Sequence, residues 1–101
     1  MLAGPVSLDA TGGCAGTLLP QVVLTWPATT SRYATGYAVF RRIGADAFVQ
    51  VGLVSGRATT TYTDATIVVA AIYDYQVRAV FQQWTGSSPT DPATTPVLCL
   101  L

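Results

Sequence analysis

The segment Ala71–Trp84, AIYDYQVRAVFQQW, is the longest alternating run in the chain. Tyr73, Tyr75, Val77, Ala79 and Phe81 share one parity, and Asp74, Gln76, Arg78 and Val80 share the other. A period of two places the first set on one face of a β-strand. A stripe this large and apolar needs an opposing layer to bury it, because one strand cannot shield its own face. Phe81 ends the inward stripe, and Gln82-Gln83-Trp84 reads as the start of a loop.

The rest of the chain repeats this grammar. Gly, Pro and Thr/Ser clusters recur about every ten residues, with β-branched and aromatic runs between them. The predicted strands are Val6–Ala10, ended by Thr11-Gly12-Gly13, then Gln21–Trp26, Tyr37–Arg42, Ala47–Val54, Thr59–Thr63, Ala71–Phe81 and Ala93–Leu98. Pro27 stops the second, and Pro92 and Pro96 make the last an edge strand, since proline donates no ladder bond. No window shows a capped 3.6-residue period, so no long helix is expected. The reading is all-β, a seven-stranded antiparallel β-sandwich, with residues 1–101 as one domain.

Composition narrows function. Five Arg balance five Asp, and only 10% of the residues are charged, against about 25% in an average soluble domain. A neutral chain lacks the positive cluster that nucleic acid or an anionic membrane surface requires. No apolar run is long enough to insert in a membrane, and no signal-peptide pattern is visible. There is no His to act as a base and no Lys to form a Schiff base. Asp9, Asp46, Asp64, Asp74 and Asp91 are dispersed, and Asp46 and Asp64 read as turn residues. No calcium or phosphate loop is present, so no enzyme activity, metal or cofactor is expected.

Several short motifs then stand in order. They are Pro5 and Leu8, Val22-x-Leu24-x-Trp26, Gly36-Tyr37-x-Val39, Ile67 six residues before Tyr73, Tyr73-x-Tyr75-x-Val77-x-Ala79, Ser88-Pro89 and Thr94-Thr95-Pro96. Together they resemble a fibronectin type III domain, an immunoglobulin-like sandwich, from about residue 5 to 97. Two departures stand out. The Pro-Gly-type turn usual before the corner tyrosine reads Val69-Ala70, and the Arg-Gly-Asp adhesion tripeptide is absent. The resemblance implies that Tyr73 is a tyrosine corner, with a buried ring and its hydroxyl bonded to upstream backbone. It also implies that Tyr75, Val77 and Ala79 face Trp26, Leu24, Tyr37 and Val39 across the sandwich. Trp26, Tyr37, Tyr73 and Tyr75 are thus the expected core aromatics. In this fold the turn after the first strand lies at the pole where the last strand ends. Cys14 in that turn and Cys99 after the last strand are therefore expected to form a disulfide, and with it an oxidising compartment.

The same resemblance puts the loop carrying Ser31-Arg32-Tyr33 and the loop carrying Gln82-Gln83-Trp84 at one pole. Arg32, Tyr33 and Trp84 form the candidate binding patch, because aromatics and Arg dominate binding hot spots. The competing reading has Trp84 folding back over its hairpin as a cap. Two other surfaces could join copies into a homo-oligomer. One is the apolar C-terminus of Val97, Leu98, Leu100 and Leu101, and the other is an outer sheet face with Phe40 and Val80 beside Arg42 and Arg78. Arg stems covering those rings would instead make the second surface inert. The expected function is a non-catalytic extracellular or cell-surface module contacting protein or carbohydrate. The alternative is a structural subunit of a filament or virion.

Overall fold

The computed structural model describes residues 2–17, 19–96 and 99. Eight strands follow in order: β1 Asp9–Gly16, β2 Leu19–Thr25, β3 Gly36–Arg42, β4 Val49–Ser55, β5 Thr61–Asp64, β6 Ile72–Phe81, β7 Trp84–Ser87 and β8 Asp91–Thr94. One sheet has the order β1-β2-β5. The other runs β4-β3-β6-β7, with β8 also paired to β6. All pairings are antiparallel.

The expected stripe is the core. Tyr75, Val77 and Ala79 of β6 are fully buried, as are Val22 and Leu24 of β2 and Tyr37 and Val39 of β3. Each of the valines and the leucine contributes about 1.5–3 kcal/mol by leaving water. Trp26 packs edge-on against Tyr37, with ring centroids 5.3 Å apart. Leu24 and Trp26 reach the stripe from the opposite sheet. Tyr37 and Val39 do not lie across the sandwich as expected. They sit beside β6 in the same sheet, in register with Ala79 and Val77.

The largest departures from the predicted strands, at the two ends of the chain, have physical reasons. Thr11-Gly12-Gly13 does not end the first strand but runs through the middle of β1. A side chain at Gly12 would collide with the carbonyl of Thr94, so this glycine serves a close backbone approach to β8. Cys14 accordingly lies within β1, paired with Pro20, rather than in a turn.

The last predicted strand, Ala93–Leu98, overlaps β8 at Ala93 and Thr94, and β7 forms where a loop was expected, which makes eight strands in place of seven. Arg78 pairs with Ser87, and Tyr75 with Asp91. Ser88 still exchanges bonds with Val77 through its backbone N–H and its Oγ, at 2.8 and 2.9 Å. Pro89 has no N–H to give, and Pro89-Thr90 then stand opposite Gln76 alone. This one-residue bulge splits a single edge strand into β7 and β8. Strand β8 ends at Thr94, and Val97, Leu98, Leu100 and Leu101 lie outside the described residues.

Candidate binding site

The β6–β7 hairpin builds one half of the site. Phe81 pairs with Trp84, leaving Gln82-Gln83 as a two-residue loop, and Gln82 takes a positive φ of 54°. Two-residue hairpins favour such primed turns because their twist matches the strands. Trp84 is thus the first residue of a strand and not part of a loop. Gln-Gln carries no turn signal, which is why the sequence concealed the hairpin.

The loop between β2 and β3 builds the other half. Thr35 donates to the Val80 carbonyl through both its N–H, at 2.8 Å, and its Oγ1, at 3.1 Å. Tyr37 Oη accepts from the Thr29 N–H at 3.0 Å and donates to the Arg57 carbonyl at 2.7 Å. Arg57 Nε returns a bond to the Thr29 carbonyl at 2.8 Å. The loop is held at both ends by these bonds, so Tyr33 is carried on a fixed support.

The two halves meet at Phe81. Its ring lies 6.1 Å from Tyr33 and 5.9 Å from Trp84, centroid to centroid. Tyr33 is 76% exposed and Trp84 58% exposed, while Phe81 is half-buried against the core. Trp84 leans on its hairpin partner and keeps most of its surface in water. Leu2, which the sequence reading did not single out, borders this patch together with Ser31. Arg32 is exposed in the same turn and makes no hydrogen bond or ion pair among the described residues.

A second polar cluster is structural. Asp64, read from sequence as a turn residue, is buried at the end of β5. Its Oδ2 accepts from Arg41 Nη1 at 2.8 Å and from Tyr75 Oη at 2.7 Å. Its Oδ1 accepts from the Thr66 N–H at 3.0 Å and Thr66 Oγ1 at 2.6 Å. Burial pushes the carboxyl up, but the bonds from Thr66, Tyr75 and Arg41 outweigh it and hold Asp64 below the usual carboxylate range. Burial and the adjacent Asp64 carboxylate drive the Tyr75 phenol far above its usual value. With four donors on one carboxylate, no oxygen is left open to a substrate. Tyr73 Oη accepts from the Val68 N–H at 3.2 Å, and its ring is buried, as the tyrosine-corner expectation required.

On the outer face of the larger sheet, the Arg78 guanidinium lies 3.8 Å over the Phe40 ring, and Arg42 lies 4.6 Å over Phe48. Arg42 also pairs with Asp74 at 3.1 Å. These stacks cover the rings. Cys14 and Cys99 are joined, with their Cα atoms 5.6 Å apart.

No family model matches the sequence, and no curated protein does. Solved structures of the same fold do match. A Fn3-like protein from Clostridium thermocellum is 25% identical, with a TM-score of 0.75 over 94% of this chain and 94% of that one. A fibronectin type III domain from the human KIAA0970 protein is 21% identical, with a TM-score of 0.71 over 94% of this chain and 74% of that one. A β-1,2-glucanase from Parabacteroides distasonis is 20% identical, with a TM-score of 0.73 over 95% of this chain but 13% of that one. With its strand order, tyrosine corner and sandwich core in place, the chain is a fibronectin type III-like β-sandwich.

Proposed function

We propose that this chain is a non-catalytic binding module, acting outside the cell or at the cell surface, that contacts a carbohydrate ligand through Tyr33, Phe81 and Trp84. The observation that carries this reading is that Phe81 joins two well-exposed aromatic rings, one from the β2–β3 loop and one from the start of β7, into one patch. Aromatic rings offer large contact area at little conformational cost. The surroundings suit a neutral, hydroxyl-rich ligand, since Ser31, Gln83 and Thr85 supply uncharged polar groups and no carboxylate lines the two recesses among the described residues. Arg32, exposed next to Tyr33 in the chain, adds a cation. The Cys14–Cys99 disulfide supports an oxidising compartment. The glucanase neighbour carries the same fold as a small share of a carbohydrate-active chain.

The test is affinity electrophoresis against soluble neutral glucans, with Trp84→Ala and Tyr33→Ala beside wild type. Retardation of wild type and its loss in both folded variants supports the reading. Wild type running freely through every glucan sinks the carbohydrate reading. Retention by an immobilised protein instead, lost in the same variants, moves the patch to a protein ligand. A high multiple of the monomer mass by light scattering, unaltered in Trp84→Ala, would support an assembly role instead.

A further inference from the structure

The segment Leu2–Pro5 belongs to neither sheet, yet it is tightly seated. Leu2 and Pro5 are buried. Ala3 N–H donates to Ser31 Oγ at 2.8 Å, and Thr29 Oγ1 donates to the Ala3 carbonyl. The segment also passes backbone-to-backbone against β7. A side chain at Gly4 would collide with the Ser87 carbonyl, and one at Gly86 with the Leu2 carbonyl and the Gly4 nitrogen. Gly86 pairs with Ala79, whose side chain is in the core, so the segment is wedged beneath β7 at the margin of the sandwich.

This wedge carries Leu2 into the patch. Two open recesses lie side by side there. One, of about 250 Å³, is lined by Leu2, Ser31, Tyr33, Phe81 and Trp84. The other, of about 430 Å³, is lined by Leu2, Gln83, Trp84 and Thr85. Leu2 and Trp84 border both; Leu2 is buried and Trp84 exposed, so the divide between an aromatic recess and a more polar one is the Trp84 ring, with Leu2 at its base.

Resting on the carbohydrate reading above, we propose that Leu2 and the segment that clamps it determine ligand length. The divide splits the patch into two subsites, and the ligand is a neutral oligosaccharide whose adjacent units lie on either side of it. The Gly4–Gly86 contact and the bonds from Thr29 and Ser31 position Leu2, and Leu2, from the base of the divide, sets the Trp84 ring that positions the ligand. A single sugar fills one recess and forgoes the other.

The test measures binding of glucose and of gluco-oligosaccharides of increasing length by calorimetry, using wild type, Leu2→Ala and Gly4→Ala. Trp84 exposure is followed by acrylamide quenching, to which the buried Trp26 contributes little. Wild type is expected to bind the disaccharide about tenfold or more tighter than glucose, the gain of one good added contact set. Both variants are expected to erase that gain, with Trp84 more readily quenched. Should Gly4→Ala fail to fold, Leu2→Ala and Ser31→Ala carry the test, since neither places an atom against β7. If wild type binds oligosaccharides and folded Leu2→Ala keeps the same length dependence, the two-subsite proposal is overturned while the carbohydrate reading stands. If wild type binds no sugar of any length, both fall together.

Discussion

Tyr75 Oη donates to Asp64 Oδ2 across 2.7 Å, and that bond joins one sheet of the sandwich to the other. Arg41 reaches the same oxygen from β3, so a strand of the three-stranded sheet is pinned to two strands of the larger one through one carboxylate. Hydrophobic contact between sheets is non-directional. This cluster supplies direction at the end of the sandwich remote from the aromatic patch.

Removing the carboxylate leaves buried donors unpaired. Asp64→Ala is expected to cost about 3–5 kcal/mol in urea melts, the range for breaking a buried ion pair by deleting one partner. The pH dependence has a fixed sign. The folded carboxyl titrates below its unfolded value of about 3.9, so its stabilisation is complete above that value and is lost as pH falls through the folded pKa. The stability gap between wild type and Asp64→Asn should therefore narrow between about pH 4 and pH 2. A gap that stays constant over that interval would contradict the assignment.

Of the three buried phenols, Tyr37 and Tyr73 bond to backbone and have different duties. Tyr37 Oη both accepts and donates, tying Thr29 to Arg57, whereas Tyr73 Oη accepts a single bond from Val68. Each Tyr→Phe change strands buried backbone groups at about 1–3 kcal/mol. Tyr37→Phe should fall at the upper end and Tyr73→Phe at the lower. Paired denaturant titrations check the order, and Trp26→Ala at about 3–5 kcal/mol serves as the cavity reference.

Ala70 holds a φ of 57°, in the turn where the family usually places Pro-Gly. A left-handed non-glycine residue costs about 1–2 kcal/mol, and glycine gives back about 0.5–1 kcal/mol in unfolded-state entropy. Ala70→Gly is thus expected to stabilise by up to about 1 kcal/mol, opposite to the usual sign of an Ala-to-Gly change. A melting temperature below wild type would count against it.

Reduction of Cys14–Cys99 reopens a loop with a sequence separation of 85. The chain-entropy model puts that constraint at about 4–5 kcal/mol for the folded state. The denaturant midpoint should drop on reduction, and no thiol should react in the folded, unreduced protein. Two freely titrating thiols would refute the bond.

Trp84→Ala should lower stability by about 0.5–1.5 kcal/mol, the scale of one aromatic pair, because its ring contacts Phe81 while most of its surface stays exposed. A loss of several kcal/mol would make Trp84 a core cap and remove the support for Tyr33 and Arg32 as its neighbours in a site.

What the sequence determined by itself was the layer that must be buried. Tyr73, Tyr75, Val77 and Ala79 alternate with Asp74, Gln76 and Arg78, and strand geometry leaves that pattern one solution, a buried face of a sandwich. The ordered motifs from Pro5 to Pro96 then chose among sandwiches. Tertiary structure alone decided what depends on two distant segments meeting. Gly12 looked like a turn until the Thr94 backbone lay against it. Asp64 read as a turn residue, and it does accept from the Thr66 N–H two residues on, but only Arg41 and Tyr75 closing on it made it a buried link between the sheets. Trp84 looked like a loop residue because Gln82-Gln83 carries no turn chemistry, and only its pairing with Phe81 made it a strand. Leu2 had no periodic neighbour to mark it, and it came to border the aromatic patch through backbone contacts with Gly86 that no local pattern encodes. Periodicity reports which face of an element is apolar. It does not report which remote backbone will come to rest there, because that is set by packing of the completed sandwich.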